Sequence, residues 1–156
     1  MYKIYIVEDD SSIASAIKQQ AEMWDFTVKV AQDFRNILAE FASFSPHIVL
    51  LDISLPFFNG YHWCSEIRRV SSVPIIFISS ASDNMNIVMA MNMGGDDFVA
   101  KPFDQSVLMA KIQALLRRTY DFGKSVTVFE HRGAMLNTGD NTLTYGETKI
   151  ILTKNE

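Results

Sequence analysis

The chain has 156 residues, 48% of them hydrophobic and 21% charged, which is enough for one well-buried domain and a short appendage. A formal net charge of −4 excludes a chain-wide basic surface that would hold nucleic acid or an acidic membrane by charge alone. One cysteine, Cys64, excludes an intrachain disulfide, and no apolar run reaches the roughly 18 residues that span a bilayer. A lone thiol in a methionine-rich chain suits a reducing cytosol. Met1 to Ile4 lead directly into a strand pattern instead of a signal peptide, so a cytoplasmic location is expected.

Short apolar runs alternate with helix-period segments. Ile4 to Val7 reads as a strand ending in Glu8, Asp9 and Asp10. Ser11 or Ser12 can cap a helix in which Ile13, Ile17, Ala21 and Trp24 share a face. A second strand, Phe26 to Val30, precedes a helix from Asp33 to Phe41. His47 to Leu51 is a near-continuous apolar run, as in a central strand buried on both faces, and it stops at Asp52. Pro56 and Asn59-Gly60 punctuate the loop before a helix from Tyr61 to Arg69. Pro74 to Ile78 is the fourth strand and ends at Ser79-Ser80. Asn84 to Met93 is helical and stops at Gly94-Gly95. Phe98 to Ala100 is a short fifth strand ending at Lys101-Pro102, and Asp104 can cap a last helix running to about Tyr120.

Five βα repeats favour a parallel sheet with helices on both faces, and ligands of such sheets bind beyond the carboxyl ends of the strands. Those ends present Glu8, Asp9, Asp52, Ser79 and Lys101. Each alone has a bland reading: a solvated or capping acid, a surface lysine, a buried hydroxyl. Together they have one chemistry. Three carboxylates in one crevice repel unless a cation sits among them, and oxygen-only ligation in an open, wet site suits Mg²⁺. Lys101 adds a fixed positive charge and Ser79 a hydrogen bond for a phosphoryl oxygen. Asp52, ending the central strand, is the candidate nucleophile for phosphoryl transfer.

The motifs Val7-Glu8-Asp9-Asp10, Leu50-Leu51-Asp52-Ile53-Ser54-Leu55-Pro56, Asn59-Gly60, Pro74 to Ala81, Gly95-Asp96-Asp97 and Lys101-Pro102-Phe103 resemble those of response-regulator receiver domains. The resemblance covers residues 2 to about 120. It implies an α/β, flavodoxin-like (CheY-like) doubly wound sheet of five parallel strands in the order 2-1-3-4-5. It also implies that Asp52 accepts a phosphoryl group from a sensor histidine kinase. Asp9 would be the main acidic ligand of Mg²⁺, with Glu8 beside it, Asp52 itself and the Ser54 carbonyl completing the protein ligands. Ser79 would be the switch hydroxyl, Lys101 the active-site lysine in a cis bond to Pro102, and Phe98 the rotating aromatic. The only catalysis implied is Mg-dependent autophosphorylation and autodephosphorylation. Ser54 and Ala81 offer no group to orient an attacking water, so slow self-hydrolysis is expected; a phosphoryl half-life of seconds would refute it.

From Asp121 the pattern changes. Residues 121–125 read as a linker, and 126–156 as a small antiparallel meander with turns at Arg132-Gly133, Gly139-Asp140 and Gly146-Glu147. Residues 1–120 are then the receiver. The tail resembles the amino-terminal sheet of the winged-helix effector domain of the OmpR/PhoB subfamily, without its recognition helix. Promoter DNA is therefore expected as a partner of a full-length parent but not of this chain, whose output would be control of transcription. The subfamily implies a homodimer through helix 4, strand 5 and helix 5, at Ile87, Met91, Asp97, Val107 and Lys111. Met85, Met89 and Met93 form one stripe of the fourth helix, and Ile87, Val88 and Met91 another, of which one should pack and the other stay exposed. Leu108, Ile112 and Leu115 should face the core. Gly60 to Cys64, Ser79-Ser80 and Met89-Ala90-Met91 further resemble regulators that answer peptide antibiotics in Gram-positive bacteria.

Two other functions fit less well. A phosphatase with an aspartyl-phosphate intermediate would carry a second Asp where Ser54 stands. A stand-alone module that docks on a partner after phosphorylation leaves the partial winged-helix sheet unexplained. His47, His62 and His131 lack transition-metal spacing.

Overall fold

The computed structural model describes residues 1–80 and 84–121. Residues 126–156, read as a meander, lie outside the described residues, as do Ala81 and most of the predicted linker. The chain divides into two units, Met1–Leu115 and Leu116–Glu156.

The first unit alternates strand and helix throughout: β1 (Lys3–Val7), α1 (Ser11–Met23), β2 (Thr27–Val30), α2 (Ile37–Phe44), β3 (Ile48–Asp52), α3 (Gly60–Arg68), β4 (Ile75–Ser79), α4 (Asn84–Asn92), β5 (Asp97–Ala100) and α5 (Gln105–Leu116). All strand pairings are parallel and the order is β2-β1-β3-β4-β5, as expected from the sequence. The second unit's described residues include a π-helical turn, Arg117–Asp121, which takes in the first residue of the predicted linker.

The three inner strands are hydrophobic from Ile4 to Val7, Ile48 to Leu51 and Ile75 to Ile78 because helices cover both faces, and β3 and β4 turn polar only at their last residues, Asp52 and Ser79. Tyr5, Val7, Val49, Leu51, Ile75 and Phe77 bury one face against α2 and α3, with Phe41, Trp63 and Ile67. Tyr5 carries a polar tip into that layer. Its hydroxyl donates to Glu40 at 2.7 Å, and burial with the neighbouring carboxylate raises its pKa.

Several boundaries and faces differ from the sequence reading. Asp10, not a serine, caps α1, its carboxylate accepting from the backbone of Ser12 and Ile13. Being charged, it also complements the positive helix end. The inward face of α1 is Ala14, Ile17 and Ala21; Trp24 lies past the last turn and is half exposed. In α2 the helix starts at Ile37, because Asp33 turns back on the Arg35 amide and forms a local turn instead. Leu108, Ile112 and Leu115 of α5 are buried as expected.

Neither predicted stripe of α4 packs as a unit. Met85, Val88, Met89 and Met91 are all exposed, and among the described residues of α4 only Ala90 is buried. A small residue is what the close approach requires: Gly95, just beyond, has its own Cβ position 2.7 Å from the Phe77 ring.

Candidate functional site

β1 and β3 end side by side, β5 ends one strand further on across β4, and the residues at or just beyond these ends converge. Glu8, Asp9 and Asp52 bring carboxylate oxygens within 4.8 Å of one another. Glu8 and Asp52 are almost fully buried, at 2% and 3% exposure, whereas Asp9 faces solvent. At that separation each like-charge pair repels by about 3 kcal/mol or more at an effective dielectric constant near 20.

Lys101 offsets part of this. Its Nζ donates to Asp52 Oδ2 at 3.0 Å and lies 2.6 Å from Glu8 Oε1. The contact to Glu8 is an ion pair without hydrogen-bond angles, and Oε1 has no hydrogen-bond partner in its buried position. Glu8 Oε2 accepts from the Asp10 amide at 3.0 Å. Burial raises the Glu8 pKa, and the nearby Asp52 charge adds to the rise; Lys101 and the Asp10 amide oppose both. For Lys101, burial pulls the pKa down, but Glu8 and Asp52 together raise it, so the ammonium stays charged.

One lysine among three carboxylates leaves two negative charges. That excess charge and the all-oxygen donor set fit a hard divalent cation that keeps part of its water shell. Solvent-facing Asp9 leaves room for that water.

Chain geometry fixes the surroundings. Lys101 N donates to Ser79 O at 2.9 Å, which sets the end of β5 against the end of β4. Ser79 is fully buried, one residue beyond Ile78, the register partner of Asp52. The Lys101–Pro102 peptide is cis. Ser54 is exposed, and its backbone N–H points to Asp52 Oδ1 at 3.4 Å. Phe98 is partly buried against the core. Beside Lys101 opens an apolar cleft of ≈ 430 Å³ lined by Ile13, Ala16, Pro102, Phe103 and Gln105.

The loop after Asp52 is tightly built. Gly60 N donates to Ile53 O at 2.8 Å, and a Cβ on Gly60 would lie 2.2 Å from the Asp52 carbonyl oxygen. Sequence reading took Gly60 as a turn residue and missed this approach, which only the fold creates. Backbone cannot yield as a flexible side chain does, so Gly60→Ala is expected to destabilise the chain by about 3 kcal/mol. Urea unfolding would test this; an unchanged midpoint would show the loop to be pliable.

The exposed residues of α4 with the outer sides of β5 and α5 form a separate surface. Met91 and Val107 are exposed there, Ile87 is half-buried, and Lys111 Nζ contacts Asp97 Oδ2 at 3.1 Å within the chain.

Parallel order 2-1-3-4-5 with an acidic, lysine-bearing crevice beyond the central strands defines a receiver-type signalling domain. The chain belongs to the response regulator receiver domain family, whose model matches residues 4–113, and it is homologous to two-component transcriptional regulators of the OmpR/PhoB type. It is 42% identical to an uncharacterized transcriptional regulatory protein, YvcP, of Bacillus subtilis over 161 residues, covering 100% of this chain and 68% of YvcP. With the response regulator protein GraR of Staphylococcus aureus it shares 39% identity over 155 residues, 99% of this chain and 69% of GraR. Among solved structures, the N-terminal domain of the nisin resistance regulator NsrR, a lantibiotic response regulator, is 49% identical with a TM-score of 0.70, over 75% of this chain and 99% of that domain. Receiver domains bind Mg²⁺ at an acidic pocket, and Glu8, Asp9 and Asp52 form one here. They pair with sensor kinases and are not enzymes in the ordinary sense. No helix among the described residues is long and apolar enough to cross a membrane.

Proposed function

We propose that this chain accepts a phosphoryl group on Asp52 from a sensor histidine kinase and passes the signal to a transcriptional output. The observation that carries this reading is the Lys101 ammonium 3.0 Å from Asp52 Oδ2 in a pocket of three clustered carboxylates.

An Asp52 carboxylate oxygen forms the new P–O bond as the bond from phosphorus to the donor's imidazole nitrogen breaks, leaving the electron pair on that nitrogen. Lys101 shifts from a carboxylate partner toward a phosphoryl oxygen and balances its charge. The Ser79 hydroxyl donates to a second phosphoryl oxygen. Glu8, Asp9, Asp52 and the Ser54 carbonyl would hold Mg²⁺, which when bound supplies further neutralisation of the transferring group. The apolar cleft beside Lys101, the residue that contacts Asp52, is where a kinase presenting its phosphohistidine would seat.

In the same reading, Ser79 and Phe98 respond to the phosphoryl group, and Ile87, Met91, Asp97, Val107 and Lys111 pair two receivers. The internal Asp97–Lys111 contact would then exchange for one between subunits. Residues 1–120 act as the receiver, 121–125 as linker and 126–156 as part of a winged-helix sheet. The likeness to the lantibiotic regulator supports a peptide antibiotic as the class of stimulus.

Acetyl phosphate with Mg²⁺ tests the chemistry. Intact mass is expected to rise by one phosphoryl group, a chelator to prevent it, and sedimentation to show a phosphorylation-dependent dimer. No Mg-dependent mass increase would overturn the reading.

A further inference from the structure

The surface of α4 is apolar, yet the helix contributes little to the core: Met85 is 75% exposed and Val88 54%, and Ala90 is its buried residue among those described. An element with so little buried area gains little local stability from packing. Besides its packing against β5, a seam of side chains on one face of α3 ties it to the fold. Tyr61, Cys64 and Arg68 have helical spacing and all reach the α4 segment.

The two ends of the seam are unequal. At the carboxyl end, Arg68 Nε donates to Gly94 O at 3.0 Å, its Nη1 to Val73 O at 2.6 Å, and its Nη2 to Asp96 Oδ2 at 2.8 Å. Asp96 Oδ2 also accepts from the Ile75 amide at 2.8 Å, which ties this end to the start of β4. Cys64 Sγ adds a contact to Met93 O at 3.3 Å. At the amino end, the Tyr61 hydroxyl meets Asn86 Oδ1 at 2.9 Å and Asn86 O at 3.4 Å. Between α3 and this segment, the charge-assisted, multiply shared bonds of Arg68 outweigh the neutral hydroxyl–amide contact of Tyr61.

We infer that α4 pivots on its Arg68-bound carboxyl end and that Tyr61–Asn86 is the latch that closes its amino end. Tyr61 follows Gly60, whose backbone lies against the Asp52 carbonyl. A shift of the loop after Asp52 therefore reaches the latch within one residue. The link runs through α3, apart from Ser79 and Phe98. That the latch responds to phosphorylation rests on the proposed transfer to Asp52; that it restrains α4 does not.

Hydrogen exchange of the full chain, resolved along α4, tests both parts. Tyr61→Phe removes the hydroxyl and keeps the ring against Phe77. It is expected to speed exchange at residues 84–90 roughly three- to tenfold, the worth of one hydrogen bond, and to leave 92–96 unchanged. Asn86→Ala removes the Oδ1 acceptor and should speed exchange over the same residues, and the double variant should fall short of the sum of the two, because the single variants share the Tyr61–Asn86 bond. Arg68→Met should loosen 92–96. Unaltered exchange in Tyr61→Phe, equal acceleration along all of α4, or additive single effects would each overturn the latch. In wild type, phosphorylation verified by mass should reproduce the Tyr61→Phe pattern. A phosphorylated chain with unchanged protection would sink its regulatory role, whereas a chain that takes no phosphoryl group would refute the proposed function and leave the variant results to judge the latch.

Discussion

Asp52→Asn is expected to take up no phosphoryl group from acetyl phosphate or kinase while folding at least as well as wild type. The carboxamide is a poor nucleophile, and the substitution removes one of three charges packed within 4.8 Å. Losing the repulsion from Glu8 and Asp9 outweighs losing the 3.0 Å contact to Lys101, so stability without metal should rise by about 1 kcal/mol. Mg²⁺ affinity should fall, since a ligand charge is gone. Intact-mass analysis, urea unfolding and calorimetric Mg²⁺ titration read the three effects separately. A variant that still gains a phosphoryl group would move the acceptor to another side chain. One that loses stability would show the cluster to be better compensated than its charges imply.

Lys101→Met should have the opposite effect on stability. Glu8 and Asp52 would lose their shared cation while remaining buried, and an uncompensated buried charge costs about 3 kcal/mol. Saturating Mg²⁺ should restore part of the loss, because it supplies charge at the same place. The pH dependence has a definite sign. The Glu8 pKa is raised by burial in the folded chain, so protonating Glu8 favours folding; that contribution is present in acid and lost as pH rises through the folded value. Without Lys101 the folded value rises further. The deficit relative to wild type is therefore expected to be largest near neutrality and to narrow on acidification. Urea midpoints across pH with and without Mg²⁺ would measure it, and a deficit independent of both would show that Lys101 acts by packing alone.

The sheet was legible because its physics is local. Residues 48–51 and 75–78 are unbroken apolar runs, as strands covered on both faces need, and five βα alternations favour a parallel sheet, while its order 2-1-3-4-5 follows from the resemblance to receiver domains. Helix faces were less legible. Spacing puts Trp24 on one face with Ile13, Ile17 and Ala21, but the helix ends before it; hydrophobicity marks two stripes on α4, but contact with the sheet selects by size and admits Ala90. Polar partners distant in sequence were not legible at all. Nothing in the chain's order joins Tyr61 to Asn86, or Arg68 to both Gly94 and Asp96.

The strand-end residues Glu8, Asp9, Asp52, Ser79 and Lys101 can be read from the chain's order alone, because hydrophobic runs stop where the chain leaves the sheet and polar groups begin. How they share charge is set by the assembled fold. Lys101 lies between Glu8 and Asp52, Asp9 is left to solvent, and one Glu8 oxygen is buried without a hydrogen bond. Those outcomes depend on burial and on distances between strands far apart in the chain, and both are set only when the sheet is assembled.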